Sequence, residues 1–110
     1  MDVMNSVVAI RVDSSEQIGS GHLMRCLTLA ERLRKDGADV HFISRDLAGS
    51  LHRLVEEHGF PLHLLPQHEE NPNLTGYAAW LTVPQEVDAE ETGEILSRMQ
   101  PVSRLIVDSY

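Results

Sequence analysis

Apolar residues in this chain fall into four short runs, separated by stretches whose apolar positions recur at helical spacing. Residues 7 to 12 form the first run, broken only by Arg11. Near-continuous runs of this kind are strands that a parallel sheet buries on both faces. Residues 22 to 36 follow, with Leu23, Cys26, Leu27, Ala30 and Leu33 three or four apart, so they predict a helix with one apolar stripe that Asp36-Gly37 stops. Asp39 to Ser44 reads as a second strand with Arg45-Asp46 at its carboxyl end, and so short a strand-helix-strand unit implies a right-handed parallel crossover.

The alternation continues. Residues 48 to 58 predict a second helix closed by Gly59, and Pro61 to Leu65 a third strand, with its proline at the first position, where a missing N–H does least harm. Residues 66 to 76 are polar and rich in Pro, Asn and Glu, as surface loops are. Residues 77 to 83 fit a short helix and extended chain equally well. From Gln85 to Met99 the spacing is helical, with Val87, Thr92, Ile95, Leu96 and Met99 as the buried candidates and Pro101 as the terminator. Asp88-Ala89-Glu90-Glu91 fall in the first turn of that helix, where acids favour the dipole; this role outweighs a metal reading. Arg104 to Tyr110 is the fourth strand.

An α/β domain with strand order 3-2-1-4 follows, which places Asp13, His22, Arg45 and Tyr110 along one edge of the sheet. Nothing after the fourth strand helps to cover it. The expectation is therefore an N-terminal fragment of a larger two-domain protein, cut just after that strand.

Composition narrows the function classes. At 110 residues the chain is one domain, and a formal net charge of -8 with no basic stripe argues against a nucleic-acid partner. The single cysteine, Cys26, cannot form an internal disulfide and continues the apolar helix series, so it reads as a core thiol rather than a nucleophile. No apolar run is long enough to span a membrane and no signal peptide is visible, which predicts a cytoplasmic protein. The six histidines never fall three or four apart, and neither Cys-x-x-Cys nor His-Glu-x-x-His occurs, so no dedicated metal site is expected.

Chemistry concentrates between the first strand and the first helix, in Arg11-Val12-Asp13-Ser14-Ser15-Glu16-Gln17-Ile18-Gly19-Ser20-Gly21-His22. In open α/β sheets ligands bind outside the carboxyl ends of the strands, and a helix N-terminus offers N–H groups to an anion. Gly19 and Gly21 permit a sharp turn and a close approach to a ligand, although a G-x-G alone also serves plain tight turns. His22, in the first helical turn, is disfavoured as imidazolium by the dipole; it is either a neutral ring able to accept a proton or a structural histidine. Arg11 and Asp13, two apart on one strand face, either pair with each other or face the ligand.

The runs Arg11 to Ser15, Ile18-Gly19-Ser20-Gly21-His22-Leu23-Met24-Arg25-Cys26-Leu27, Phe42 to Asp46 and Ile106-Val107-Asp108-Ser109-Tyr110 together resemble the N-terminal half of the PseG family. These are UDP-2,4-diacetamido-2,4,6-trideoxy-β-L-altropyranose hydrolases of pseudaminic acid biosynthesis, related to the spore-coat polysaccharide protein SpsG. The resemblance covers nearly all of the chain and is weakest between residues 66 and 88.

It implies a Rossmann-like parallel sheet forming the N-terminal half of a GT-B-like two-domain fold, with the nucleotide held mainly by a C-terminal domain absent from this chain. The implied reaction is metal-independent hydrolysis of a UDP-sugar without a cofactor, water displacing UDP from the anomeric carbon with inversion. His22 matches the family's catalytic histidine and would be the general base. Tyr110 matches an active-site tyrosine, and Asp13, Gly21 and Arg25 would bind or orient the substrate. Where the family often has Asp-His-Tyr, this chain has Asp108-Ser109-Tyr110, so no role carries over to Ser109. Two rivals remain: a GT-B transferase passing the sugar to an acceptor hydroxyl, and a binding-only domain, the behaviour expected of residues 1 to 110 alone. A dinucleotide-binding module fails, because Met24 stands where the fingerprint needs Gly or Ala and Arg45 rather than an acid ends the second strand.

Overall fold

The structure, a computed structural model, describes residues 6–68, 73–99 and 101–108. Its elements run β1 (Val7–Val12), α1 (Gly21–Lys35), β2 (Asp39–Arg45), α2 (His52–Glu57), β3 (Leu62–Leu65), α3 (Gly76–Leu81), α4 (Gln85–Arg98) and β4 (Arg104–Asp108). The four strands form one all-parallel sheet in the order β3-β2-β1-β4, as the alternation of runs predicts. An α/β sheet flanked by helices, compatible with a Rossmann-like fold, results. No helix among the described residues is long and apolar enough to cross a membrane.

Strand alternation decides what each face holds. Val8, Ile10 and Val12 on β1, with Val40 and Phe42 on β2, pack beneath Leu23, Cys26, Leu27 and Ala30 of α1 and Val55 of α2. Each of the fully buried Val, Leu, Ile and Phe side chains among them contributes roughly 1.5–3 kcal/mol. The intervening positions face the other way, where Ala9, Ile43 and Leu65 meet Ile95 and Leu96 of α4 and Met99 just after it. Arg11 and Arg45 share the parity of Ala9 and Ile43, so two arginines enter the layer beneath α4. β4 is an edge strand, and its Leu105 and Val107 are exposed.

Three sequence expectations shift. The second helix is shorter than residues 48 to 58 and begins at His52. Gly49 adopts φ +75, which no helix tolerates, and Leu51 N–H donates to Ser14 Oγ instead of to the chain behind it. A Cβ on Gly49 would lie 2.4 Å from Glu16 Cγ, so the glycine also lets the loop after β1 nest against the loop after β2. The ambiguous stretch resolves into helix α3, ended by Thr82 in the left-handed region (φ 66). Finally, α4 starts at Gln85 as expected and holds Asp88 in its first turn, but Glu90 and Glu91 lie beyond it, and Asp88 and Glu91 are also counter-ions to strand arginines.

Candidate active site

The loop from Asp13 to Ser20 is pinned along its length. Ser15 C=O accepts Gly19 N–H at 2.8 Å and Ser15 Oγ accepts Ile18 N–H at 3.0 Å, while Glu16 N–H donates to Ala48 C=O at 3.2 Å. Ile18 then buries itself against Leu47 and Val83. The need for glycine falls on Gly19, whose φ is +83. Gly21 has no such need; a Cβ there would meet open space, so what Gly21 supplies is room at the helix start. Ser20 is the N-cap but makes no side-chain cap bond, and no acid lies in the first turn of α1. The positive end of that dipole is thus not neutralised by its own helix.

His22, Arg25 and Cys26 share one face of α1, at i, i+3 and i+4. All three converge on Asp108, which ends β4 and pairs in register with Val12. His22 Nδ1 lies 2.7 Å from Asp108 Oδ1, Arg25 Nη2 donates to both carboxylate oxygens at 3.0 and 3.1 Å, and the Cys26 thiol donates to Oδ2 at 3.3 Å. Arg25 Nη2 also stands 3.0 Å from His22 Nδ1. A guanidinium only donates, and a nitrogen 2.7 Å from a carboxylate carries the proton, so the bond is Nδ1–H to Asp108 and the arginine is merely a close neighbour. In the neutral ring that tautomer puts the basic lone pair on Nε2.

Partial burial pushes the Asp108 carboxyl up, but the hydrogen bonds from His22, Arg25 and Cys26 outweigh it and hold it below the ordinary carboxylate range. Asp108 is ionised at neutral pH as a result. Cys26 moves the other way. Burial, reinforced by its bond to the Asp108 carboxylate, pushes the thiol up to about 12. Nucleophilic chemistry needs thiolate, so Cys26 is a donor and a core side chain. Alkylation by iodoacetamide at neutral pH, followed by mass spectrometry, should be at least ~100-fold slower in the native protein than in denaturant; equal rates would disprove the assignment.

The structure divides the sequence-predicted site residues. His22 and Arg25 come together at Asp108, while Tyr110 lies outside the described residues. Asp13 is buried and turned inward: its Oδ1 accepts Arg11 Nη1 at 2.6 Å and the Arg45 backbone N–H at 2.8 Å. The structural pairing of Arg11 with Asp13 is the one adopted, and Asp13 ties the ends of β1 and β2 together rather than facing outward. Arg45 stands at the predicted edge, with its side chain 0% exposed and bonded to Asp88, Glu91 and the Pro66 carbonyl. Among the described residues, no group of three His, Cys, Asp or Glu side chains is arranged to hold a metal ion.

No family model and no curated protein matches this chain. Sequence reasoning had missed Asp108 as a site residue, yet a signal existed: a carboxylate at the carboxyl end of the strand predicted to neighbour β1. Asp88 and Glu91 were missed as partners of the strand arginines. Their signal was the i, i+3 spacing of two acids on the helix that crosses back over two charged strand positions.

Proposed function

We propose that this chain is the catalytic half of a nucleotide-sugar hydrolase, with His22 as general base and Asp108 holding it in the productive tautomer. What carries the proposal is the 2.7 Å contact between His22 Nδ1 and Asp108 Oδ1 at the carboxyl edge of a parallel sheet, beside an uncapped helix N-terminus. The resemblance of the loop and of the Ile106–Tyr110 run to UDP-sugar hydrolases supplies the substrate class. Nε2 takes a proton from water as the water oxygen attacks the anomeric carbon, the bond to UDP breaks with its electron pair leaving on the diphosphate, and the imidazolium formed is stabilised by Asp108. General-base catalysis of this kind contributes roughly 10²–10⁴-fold. Arg25 keeps Asp108 ionised and adds positive charge beside the site, while Gly21 leaves room for water at the helix start.

In this proposal the nucleotide is bound by a second Rossmann-like domain in a GT-B arrangement, no metal or cofactor takes part, and the protein works in the cytoplasm, where a lone buried thiol stays reduced. The test is UDP release from the UDP-linked diacetamido-trideoxy sugar, with neither metal nor acceptor. Three proteins are compared: the chain joined to its second domain, the same protein with His22→Asn, and residues 1–110 alone. Release by the first and not by the second is expected, and an inactive third would show that the second domain is needed. Release only when an acceptor alcohol is supplied would replace hydrolysis with transfer, and an unimpaired His22→Asn variant would remove the histidine from the mechanism.

A further inference from the structure

A hollow of about 540 Å³ opens over the carboxyl ends of β1, β2 and β3, walled by Glu16, Gln17, Gln67, His68, Trp80 and Thr82. Its size falls in the ordinary range for small-molecule sites, roughly 300–1,000 Å³. It shares the pinned loop after β1 with the His22–Asp108 pair, so the two are built on one rigid segment.

The lining selects a ligand class. Among the described residues neither lysine nor arginine borders the hollow, so no permanent positive charge there meets a diphosphate, and Glu16 disfavours anions further. The polar and aromatic groups of the described lining residues are two primary amides, two hydroxyls, a carboxylate, an imidazole and an indole. Amides and carboxylates form paired bonds with vicinal hydroxyls and acylamino groups, and an indole offers an apolar face to ring C–H bonds. The walls are held in place. Trp80 packs against Ile18, Leu47 and Val83, and His68 Nε2 is 3.3 Å from both Glu91 carboxylate oxygens. Thr82 is the left-handed residue that ends α3, which fixes the turn at the rim of the hollow.

We infer that this hollow is a pyranose-binding subsite that takes the glycosyl part of the substrate, with Trp80 as the aromatic wall and Gln17 and Gln67 as the groups that read its acylamino and hydroxyl substituents. The assignment rests on the nucleotide-sugar proposal above for the identity of the sugar's carrier. Trp80 is the single tryptophan of the sequence, so its emission reports on the hollow directly. The chain is titrated with free 2-acetamidohexoses of gluco and galacto configuration, with the corresponding UDP-sugars, and with UDP alone. The same titrations are run on the Gln17→Ala/Gln67→Ala double variant after circular dichroism has established that it is folded.

The expected result is a saturable emission change with the sugars and UDP-sugars, none with UDP, and affinity for the sugars weakened at least about tenfold in the double variant, as the loss of two hydrogen bonds implies. A full response to UDP alone would make the hollow a nucleotide site and overturn the inference. So would no response to any compound, or sugar binding that the double variant leaves unchanged. UDP release and its dependence on His22 decide the hydrolase proposal separately, so each can fail without the other.

Discussion

Asp88→Ala is expected to destabilise the domain by about 2–4 kcal/mol, among the largest effects of any single change. Asp88 Oδ1 accepts Arg11 Nη2 at 2.6 Å and Arg45 Nη2 at 2.7 Å, joining two arginines whose side chains are 5% and 0% exposed. Removing one partner of a buried pair typically costs ~3–5 kcal/mol, because a charge is left in a poorly polarisable surround. The figure here is lower for two reasons: Asp88 is itself 17% exposed, and each arginine keeps another acid, Arg11 with Asp13 and Arg45 with Glu91. Asp88→Asn retains an acceptor oxygen and should lose about half as much.

Denaturation by urea at pH 7, read by circular dichroism, gives both differences. Its pH dependence gives a second check. Burial pushes the Asp88 carboxyl up, but hydrogen bonds and attraction from Arg11 and Arg45 outweigh it, so its folded value lies below the ordinary one. The associated stability is complete above the unfolded value, roughly pH 4, and is lost as pH falls through the folded value. The native protein should therefore lose stability below about pH 4 more steeply than Asp88→Ala. Parallel curves would mean that the ion cluster contributes nothing.

This cluster also marks where reading the chain alone ran out. The strand order, the parallel pairing and the burial of β1 and β2 were all legible, because each depends on local periodicity and on the handedness of short crossovers. The site was legible as far as one helix could carry it: His22 and Arg25 are three apart on α1, and the loop before them is visible in Gly19 and Gly21. The partners that give these side chains their roles are 77 to 86 residues away along the chain: Asp88 for Arg11, Asp108 for His22. No periodicity encodes which end of β4 meets which turn of α1. The start of α2 was missed because a left-handed Gly49 looks, in sequence, like any other glycine near a helix end. Arg45 stands at the carboxyl end of β2 as the strand pattern predicts, but a charge there has the same signature whether it faces a ligand or, as here, the underside of a helix bearing two acids.

Under the proposed hydrolysis, Asp108→Asn is expected to lower kcat for UDP-sugar cleavage by roughly 10²–10⁴-fold with little change in KM. The carboxylate accepts the Nδ1 proton of His22 and thereby keeps the lone pair on Nε2. An asparagine at the same place can turn its amide so that –NH₂ donates to Nδ1, and Arg25, 3.0 Å from that nitrogen, favours the same reversal by donating as well. The proton then sits on Nε2, and the ring cannot take one from water. Even with the original tautomer, an uncharged amide no longer stabilises the imidazolium formed in the transition state. The fold should be little disturbed, since Asp108 is partly exposed at the end of an edge strand and the lost interactions amount to about 1–2 kcal/mol. A catalytic loss unaccompanied by unfolding is thus the signature, and Asp108→Ala, which cannot donate to Nδ1, should retain more activity than Asp108→Asn if tautomer control dominates. Steady-state kinetics from pH 5 to 9 on the three proteins decides between these cases. Were both variants to keep kcat within about threefold and the same pH profile, Asp108 would be a structural tether for α1, and His22 would have to find its basicity without it.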